Sequence, residues 1–273
     1  MGKLVVFWSL LHGQAKVTAN MSAVACLLNN DTQERVIMTH SQFGMADLEG
    51  MFNFRMEKEK SKAIYNNAGL SALLLRIKQS WLTEDIVEQC LMPVSTSSGL
   101  YLLPGTEEQF DILKASDTEE LVYALLGGDI EKYYEWVMVD ASAGNNPLSL
   151  RLLDAADVIV ISLSQNIATW DKFLHEYPQL AKKKNVIFVI GGYDDDSRYN
   201  RRNIARMYNL VNGKNLGVVP NNTAFLDAIS DGAVAKYIFS NENAKKGEEN
   251  YDLISECRAI SSMIRDVAQK GEK

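Results

Sequence analysis

The apolar positions of this chain fall into short, nearly unbroken runs separated by longer amphipathic stretches. Seven runs stand out, at 4–9 (LVVFWS), 35–39 (RVIMT), 100–103 (LYLL), 136–140 (WVMVD), 157–163 (DVIVISL), 185–190 (NVIFVI) and 216–219 (LGVV). Runs that are continuous rather than alternating mark strands covered on both faces, as in a parallel sheet. Helical periodicity lies between them, over 18–28, 70–81, 118–126, 168–181, 201–210 and 251–267. Strands alternating with helices predict βαβ units and a doubly wound, mostly parallel α/β sheet. Residues 54–99 are long for a connection between strands. They are expected to form two helices, one over 63–81, and to offer a place for a partner to dock.

Composition narrows the class without naming an activity. The 273 residues are 47% hydrophobic and 23% charged, which fits a globular protein and excludes a disordered one. A net charge of −7 argues against a protein that coats nucleic acid. The densest basic segment, 198–203 (RYNRRN) with Arg206 beyond it, follows three acids at Asp194–Asp196 and reads as a solvated helix start. Cys26, Cys90 and Cys257 are odd in number and far apart, which fits neither a disulfide framework nor a zinc site and points to a reducing, cytoplasmic location. The apolar run over 4–11 is too short to span a bilayer.

The last helical stretch places Leu253, Ile254, Cys257, Ile260, Met263, Ile264 and Val267 on one face. Its polar face mixes Glu256, Arg258, Arg265 and Asp266, so packing on the sheet is favoured over peripheral membrane contact. With no shift in composition along the chain, residues 1–240 read as one α/β domain. Residues 241–273 read as a polar connection and a C-terminal helix packed on that same domain.

Candidate chemistry begins where ligands of open α/β sheets bind, beyond the carboxyl ends of strands. The first strand runs into Leu10-Leu11-His12-Gly13-Gln14-Ala15-Lys16-Val17-Thr18, which opens directly into a helix. A phosphate loop needs glycines so that backbone N–H groups face phosphate, a lysine for the β/γ-phosphates and a Ser/Thr for Mg²⁺. This loop has the strand–loop–helix context and Lys16, but Gly13 is its one glycine. A second buried run ends in Asp140 and passes through a small-residue turn to Gly144. An Asp there can hold Mg²⁺ through water, and the glycine N–H can meet a terminal phosphate. His175 and Asp171 stand four apart with no second ligand pair, and Ser142 lacks a Gly-x-Ser-x-Gly elbow, so neither a metal centre nor a hydrolase is expected.

Together these landmarks resemble the MinD/ParA family of P-loop ATPases, whose phosphate loop is a deviant Walker A motif. The order followed is phosphate loop, a switch segment after the second strand, Leu103-Pro104-Gly105, Asp140 to Gly144, Ala156-Asp157, and Gly217 to Pro220. The Leu-Pro-Gly turn and Tyr193-Asp194 look most like the TadZ/CpaE-like branch, associated with positioning pilus and secretion machinery. The resemblance implies a P-loop NTPase-like single domain, a homodimer and a protein partner. It also implies ATP and Mg²⁺ held by Gly13, Gln14, Ala15, Lys16, Val17, Thr18, Asp140, Gly144 and Pro220, with Thr18 and Asp140 at the metal.

The same comparison exposes departures. The family loop reads Gly-Lys-Gly-Gly-x-Gly-Lys-Thr/Ser. Its first Gly and signature Lys become Leu10 and Leu11, its last Gly becomes Ala15, and its Mg²⁺ hydroxyl becomes Val17, with Thr18 adjacent. The switch carboxylate that positions water becomes Gln42, and the base-reading Asn falls at Gly191 or Gly192. Phosphoryl transfer rests on positioned charge and Mg²⁺, so these losses favour a positioning or assembly component with weakened or lost ATPase activity. The alternative is an active ATP-binding switch with slow hydrolysis, using Lys16, Thr18, Asp140 and Gly144.

Overall fold

The computed structural model describes residues 2–41, 48–52, 68–77, 82–94, 99–105, 130–209 and 214–270. The expected helix over 118–126, Gln42 and part of the 54–99 segment lie outside them.

All seven apolar runs form strands: β1 (Lys3–Trp8), β2 (Val36–His40), β4 (Leu100–Leu102), β5 (Trp136–Asp140), β6 (Val158–Leu163), β7 (Val186–Tyr193) and β8 (Leu216–Pro220). The sequence pattern missed β3 (Met92–Pro93), a two-residue strand too short to carry a period and the antiparallel edge of the sheet. The eight strands lie in the order β3-β4-β2-β5-β1-β6-β7-β8, with every pair but β3–β4 parallel. β1 is thus central, flanked by two strands that come more than a hundred residues later in the chain.

Why the runs are continuous is visible in the burial. One face of the sheet, with Leu4, Val6, Val139 and Ile161, packs under α4 (Pro147–Ala155) and α5 (Ile167–Glu176). The other, with Val5, Phe7, Met38 and Val160, packs under α1 (Val17–Thr32) and the last helix, α10 (Tyr251–Lys270). Neither face meets water, so neither needs polar residues.

Within the described residues of 54–99 lie α2 (Gly69–Ile77) and α3 (Glu84–Glu88). The helix expected over 168–181 is two: α5 ends at Glu176 and α6 (Pro178–Ala181) begins after Tyr177. Pro178 disfavours helical backbone at the residue before it, and Tyr177 has left the helix at ψ 47°. Short helices α7 (Arg201–Met207), α8 (Thr223–Ser230) and α9 (Val234–Ser240) complete the described set. Asn241 and Asn250 hydrogen-bond to each other and to Tyr237, closing the turns that lead to α10. Along α10, Leu253, Ile254, Cys257, Ile260 and Ile264 are buried, and the helix lies against α1 and β8.

Candidate functional site

The chain leaves β1 for β2 on one side of the sheet and later places β6 on the other, so the carboxyl end of β1 is a topological switch point. The loop 9–16 starts there. His12, Gly13 and Gln14 are exposed, and Ala15 is buried. Lys16 is the N-cap of α1, in left-handed backbone at φ 51°, with no side-chain cap bond, and the first turn carries no acid. A sixteen-residue helix whose leading N–H groups have no intrahelical partner presents the positive end of its dipole here, which suits an anion.

The hydroxyl and carboxylate singled out for Mg²⁺ are brought together. Thr18 Oγ1 donates to Asp140 Oδ2 at 2.5 Å, with Asp140 buried at the end of β5. Val17, one residue earlier, packs its side chain against the apolar face instead. Two hard oxygen donors side by side are of the kind that fits Mg²⁺.

Lys16 extends toward the ends of β7 and β8. Its Nζ donates to Asn221 Oδ1 at 2.8 Å, while Asn221 Nδ2 donates to the Gly192 carbonyl at 3.0 Å and its N–H to that of Tyr193 at 2.9 Å. Pro220, which ends β8 opposite Tyr193, is the residue before this asparagine.

The turn after β5 is held by the protein itself. Ala141 N–H donates to the Phe7 carbonyl (2.9 Å), Ser142 N–H to Ser41 Oγ (3.2 Å) and Gly144 N–H to the Ser9 carbonyl (3.1 Å). The Gly144 carbonyl in turn accepts from the indole N–H of Trp8 at 3.1 Å. Gly144 therefore lies beside the phosphate-loop position, but the N–H assigned to a terminal phosphate is already donated.

Of the two positions at the end of β7 where the family's asparagine would fall, Gly191 is the crowded one, whereas a Cβ on Gly192 would meet nothing closer than Lys16 Cε at 3.4 Å. A Cβ built on Gly191 would stand 2.0 Å from the Ala15 carbonyl oxygen and 2.7 Å from Asn20 Nδ2. Asn20 Nδ2 donates to that same carbonyl at 2.8 Å, so loop, first helix and β7 meet at one point with no room for a side chain. Asn20 is itself 1% exposed.

Sequence reasoning missed Asn20, Ser41 and Asn221, because a lone polar residue on a helix or after a strand carries no motif. It also missed a pair between buried His40, which ends β2, and partly buried Glu49. His40 Nε2 lies 2.9 Å from Glu49 Oε1, which also accepts from the Gly105 N–H at 2.9 Å. Burial pushes the Glu49 carboxyl up. The bond and charge of His40, with the Gly105 N–H, outweigh that and hold it below its ordinary range. The other sequence candidates stand apart: Asp171 accepts from Tyr208, and Arg201 pairs with Glu256. Among the described residues no group of three or more His, Cys, Asp or Glu is placed to hold a metal, and no helix is long and apolar enough to cross a membrane.

No protein-family model matches the chain, and no curated protein matches it. Solved structures do. The chain is similar to the cell division ATPase MinD of Pyrococcus furiosus, at 16% identity and a TM-score of 0.68 over 98% of this chain and 100% of that one. It is similar to the ParA family ATPase from Chlorobium tepidum TLS at 14% identity and 0.67, over 96% and 99%. It is also similar to the septum site-determining protein MinD complexed with Mg-ADP from Pyrococcus horikoshii OT3, at 13% identity and 0.67, over 98% of both chains. At such identities the likeness is one of architecture: this chain has the single-domain, mostly parallel α/β fold of the MinD and ParA ATPases.

Proposed function

We propose that this protein is a MinD/ParA-like positioning or assembly component, serving pilus or secretion machinery, in which ATP hydrolysis is weakened or lost. The observation that carries the reading is the turn after β5. Its Gly144 N–H, with those of Ala141 and Ser142, is spent on Ser9, Phe7 and Ser41, so a terminal phosphate finds these donors occupied. Removing one preorganised donor from a developing charge costs roughly 10²–10³ in rate. Leu11 in place of the signature lysine and Gln42 in place of the switch carboxylate act in the same direction.

On this reading the protein works in the cytoplasm as a homodimer that needs no nucleotide sandwich, and recruits a protein partner. Residues 1–240 form the α/β domain, with 241–273 packed on it. A MinC:MinD complex is among the similar structures, at 12% identity.

The Thr18–Asp140 contact favours a second reading, a slow nucleotide switch. There, Thr18 and Asp140 would hold Mg²⁺. The loop from Gly13 to Val17 would face the phosphates with Lys16, and Pro220 would border the base. Mg²⁺ would supply charge to the phosphoryl oxygens.

Titrating the purified protein with Mg·ATP in a calorimeter separates the two. The proposal expects no heat, or affinity no tighter than millimolar, and no phosphate release. Micromolar binding that disappears in Lys16→Ala would overturn it in favour of the switch.

A further inference from the structure

The lysine of the phosphate-loop position is turned away from the oxygen donors beside it. Thr18 reaches Asp140 at the end of β5, on one side of the central strand β1. Lys16, two residues earlier, carries its ammonium to Asn221 beyond the end of β8, on the other side. The two side chains thus serve opposite flanks of the sheet.

The direction of Lys16 is built into the backbone. Asn20 clamps it from both sides: its Nδ2 donates to the Ala15 carbonyl at 2.8 Å and its N–H to the Lys16 carbonyl at 2.9 Å. Gly191 closes on that same Ala15 carbonyl from β7. Between these fixed points Lys16 holds left-handed backbone, at φ 51° and ψ 42°, a region that lysine seldom enters. Its stem then lies over Gly192, where a Cβ would stand 3.4 Å from Cε and 3.7 Å from Cδ. The acceptor is fixed as well. Asn221 Nδ2 donates to the Gly192 carbonyl at 3.0 Å, and the Asn221 N–H to the Tyr193 carbonyl at 2.9 Å. With its amide group on a carbonyl, Asn221 turns Oδ1 to the ammonium at 2.8 Å, and the reverse orientation would set donor against donor.

We propose that the Lys16–Asn221 contact is an autoinhibitory latch, resting on the reading of residues 13–18 as a phosphate loop. Closed, it commits the ammonium to the ends of β7 and β8. Open, it returns that charge to the loop, which then holds a phosphate anion more tightly. Affinity through such an equilibrium falls in proportion to the fraction of molecules in the open state, so removing the acceptor raises it.

Two measurements on the full-length protein test the latch. In a calorimeter, inorganic pyrophosphate and Mg·ATP are each titrated into the parent, Asn221→Ala and Lys16→Ala/Asn221→Ala. Asn221→Ala should bind at least one of them about fivefold more tightly than the parent, the low end of usual coupling between sites. The double variant should lose that gain. In parallel, acetylation of the native protein by an amine reagent is followed lysine by lysine in a mass spectrometer. Lys16 should react faster in Asn221→Ala than in the parent, with exposed Lys182 unchanged as the internal reference. Asn221→Asp keeps an acceptor for Lys16 but loses the donor to Gly192, so Lys16 should react no faster there than in the parent. If Asn221→Asp exposes Lys16 as Asn221→Ala does, the residue merely braces the strand ends and the latch is overturned. Equal affinity in the parent and Asn221→Ala, no binding by Asn221→Ala at millimolar probe, or a gain that survives loss of Lys16 would also overturn it. Micromolar binding by the parent that disappears in Lys16→Ala would instead overturn the reading of lost ATPase activity, and the latch would still stand or fall on the ratio between the parent and Asn221→Ala.

Discussion

The contact between Gly191 and the loop makes a quantitative demand. In Gly191→Ala the new Cβ would lie 2.0 Å from the Ala15 carbonyl oxygen, far inside van der Waals contact, and its neighbour is backbone rather than a flexible side-chain tip. Either β7 or the loop must retreat. Overpacking of this kind costs about 1–3 kcal/mol. The retreat also pulls Ala15 from Asn20 Nδ2, and leaving a buried amide unsatisfied costs a further 1–3 kcal/mol or so. The sum is about 2–6 kcal/mol, which at roughly 2–4 °C per kcal/mol for chains of comparable size lowers Tm by about 4–24 °C.

Urea unfolding followed by circular dichroism should show a lower midpoint with an unchanged slope. Gly13→Ala is the control: a Cβ there meets nothing within 4 Å, so only its φ of 75° is penalised, at about 1–2 kcal/mol. A Gly191→Ala protein that melts within 2 °C or so of the parent, or no lower than Gly13→Ala, would refute the close approach.

Other residues give sharper or simpler tests. Thr18→Val keeps the shape but removes the donor to the buried Asp140 carboxylate, and should cost about 1.5–3 kcal/mol in urea unfolding. Thr18→Ser should restore most of it. Glu49, whose carboxyl is held below its ordinary range, contributes stability that is present above the unfolded-state value and lost as pH falls through the folded one. Glu49→Gln should therefore be less stable at neutral pH and should lose less between about pH 5 and pH 3, read as urea midpoints. All three cysteines are buried. Burial pushes the Cys257 thiol up to about 12, and Cys26 and Cys90 in the same direction. A thiol reagent should label none of them in the native protein within minutes and all three after unfolding.

The apolar pattern alone located seven of the eight described strands and the end of the sheet on which to look. Apolar runs such as 158–163 record burial on both faces, and that is a local property a reader can count. The sequence also placed the loop 10–18 and Asp140 as candidates, because strand ends and small-residue turns are local too. Tertiary structure decided which of those groups meet. Thr18 reaches Asp140 across 122 residues of sequence, and Lys16 reaches Asn221 across 205. Neither partnership leaves a periodic trace. The same holds for the spent N–H of Gly144 and for the crowding at Gly191, which depend on where Ser9 and Ala15 come to rest against strands far along the chain. A hydrogen-bond donor is free or committed only with respect to its surroundings, so the distinction between a phosphate site and a closed turn emerges only when the sheet is assembled.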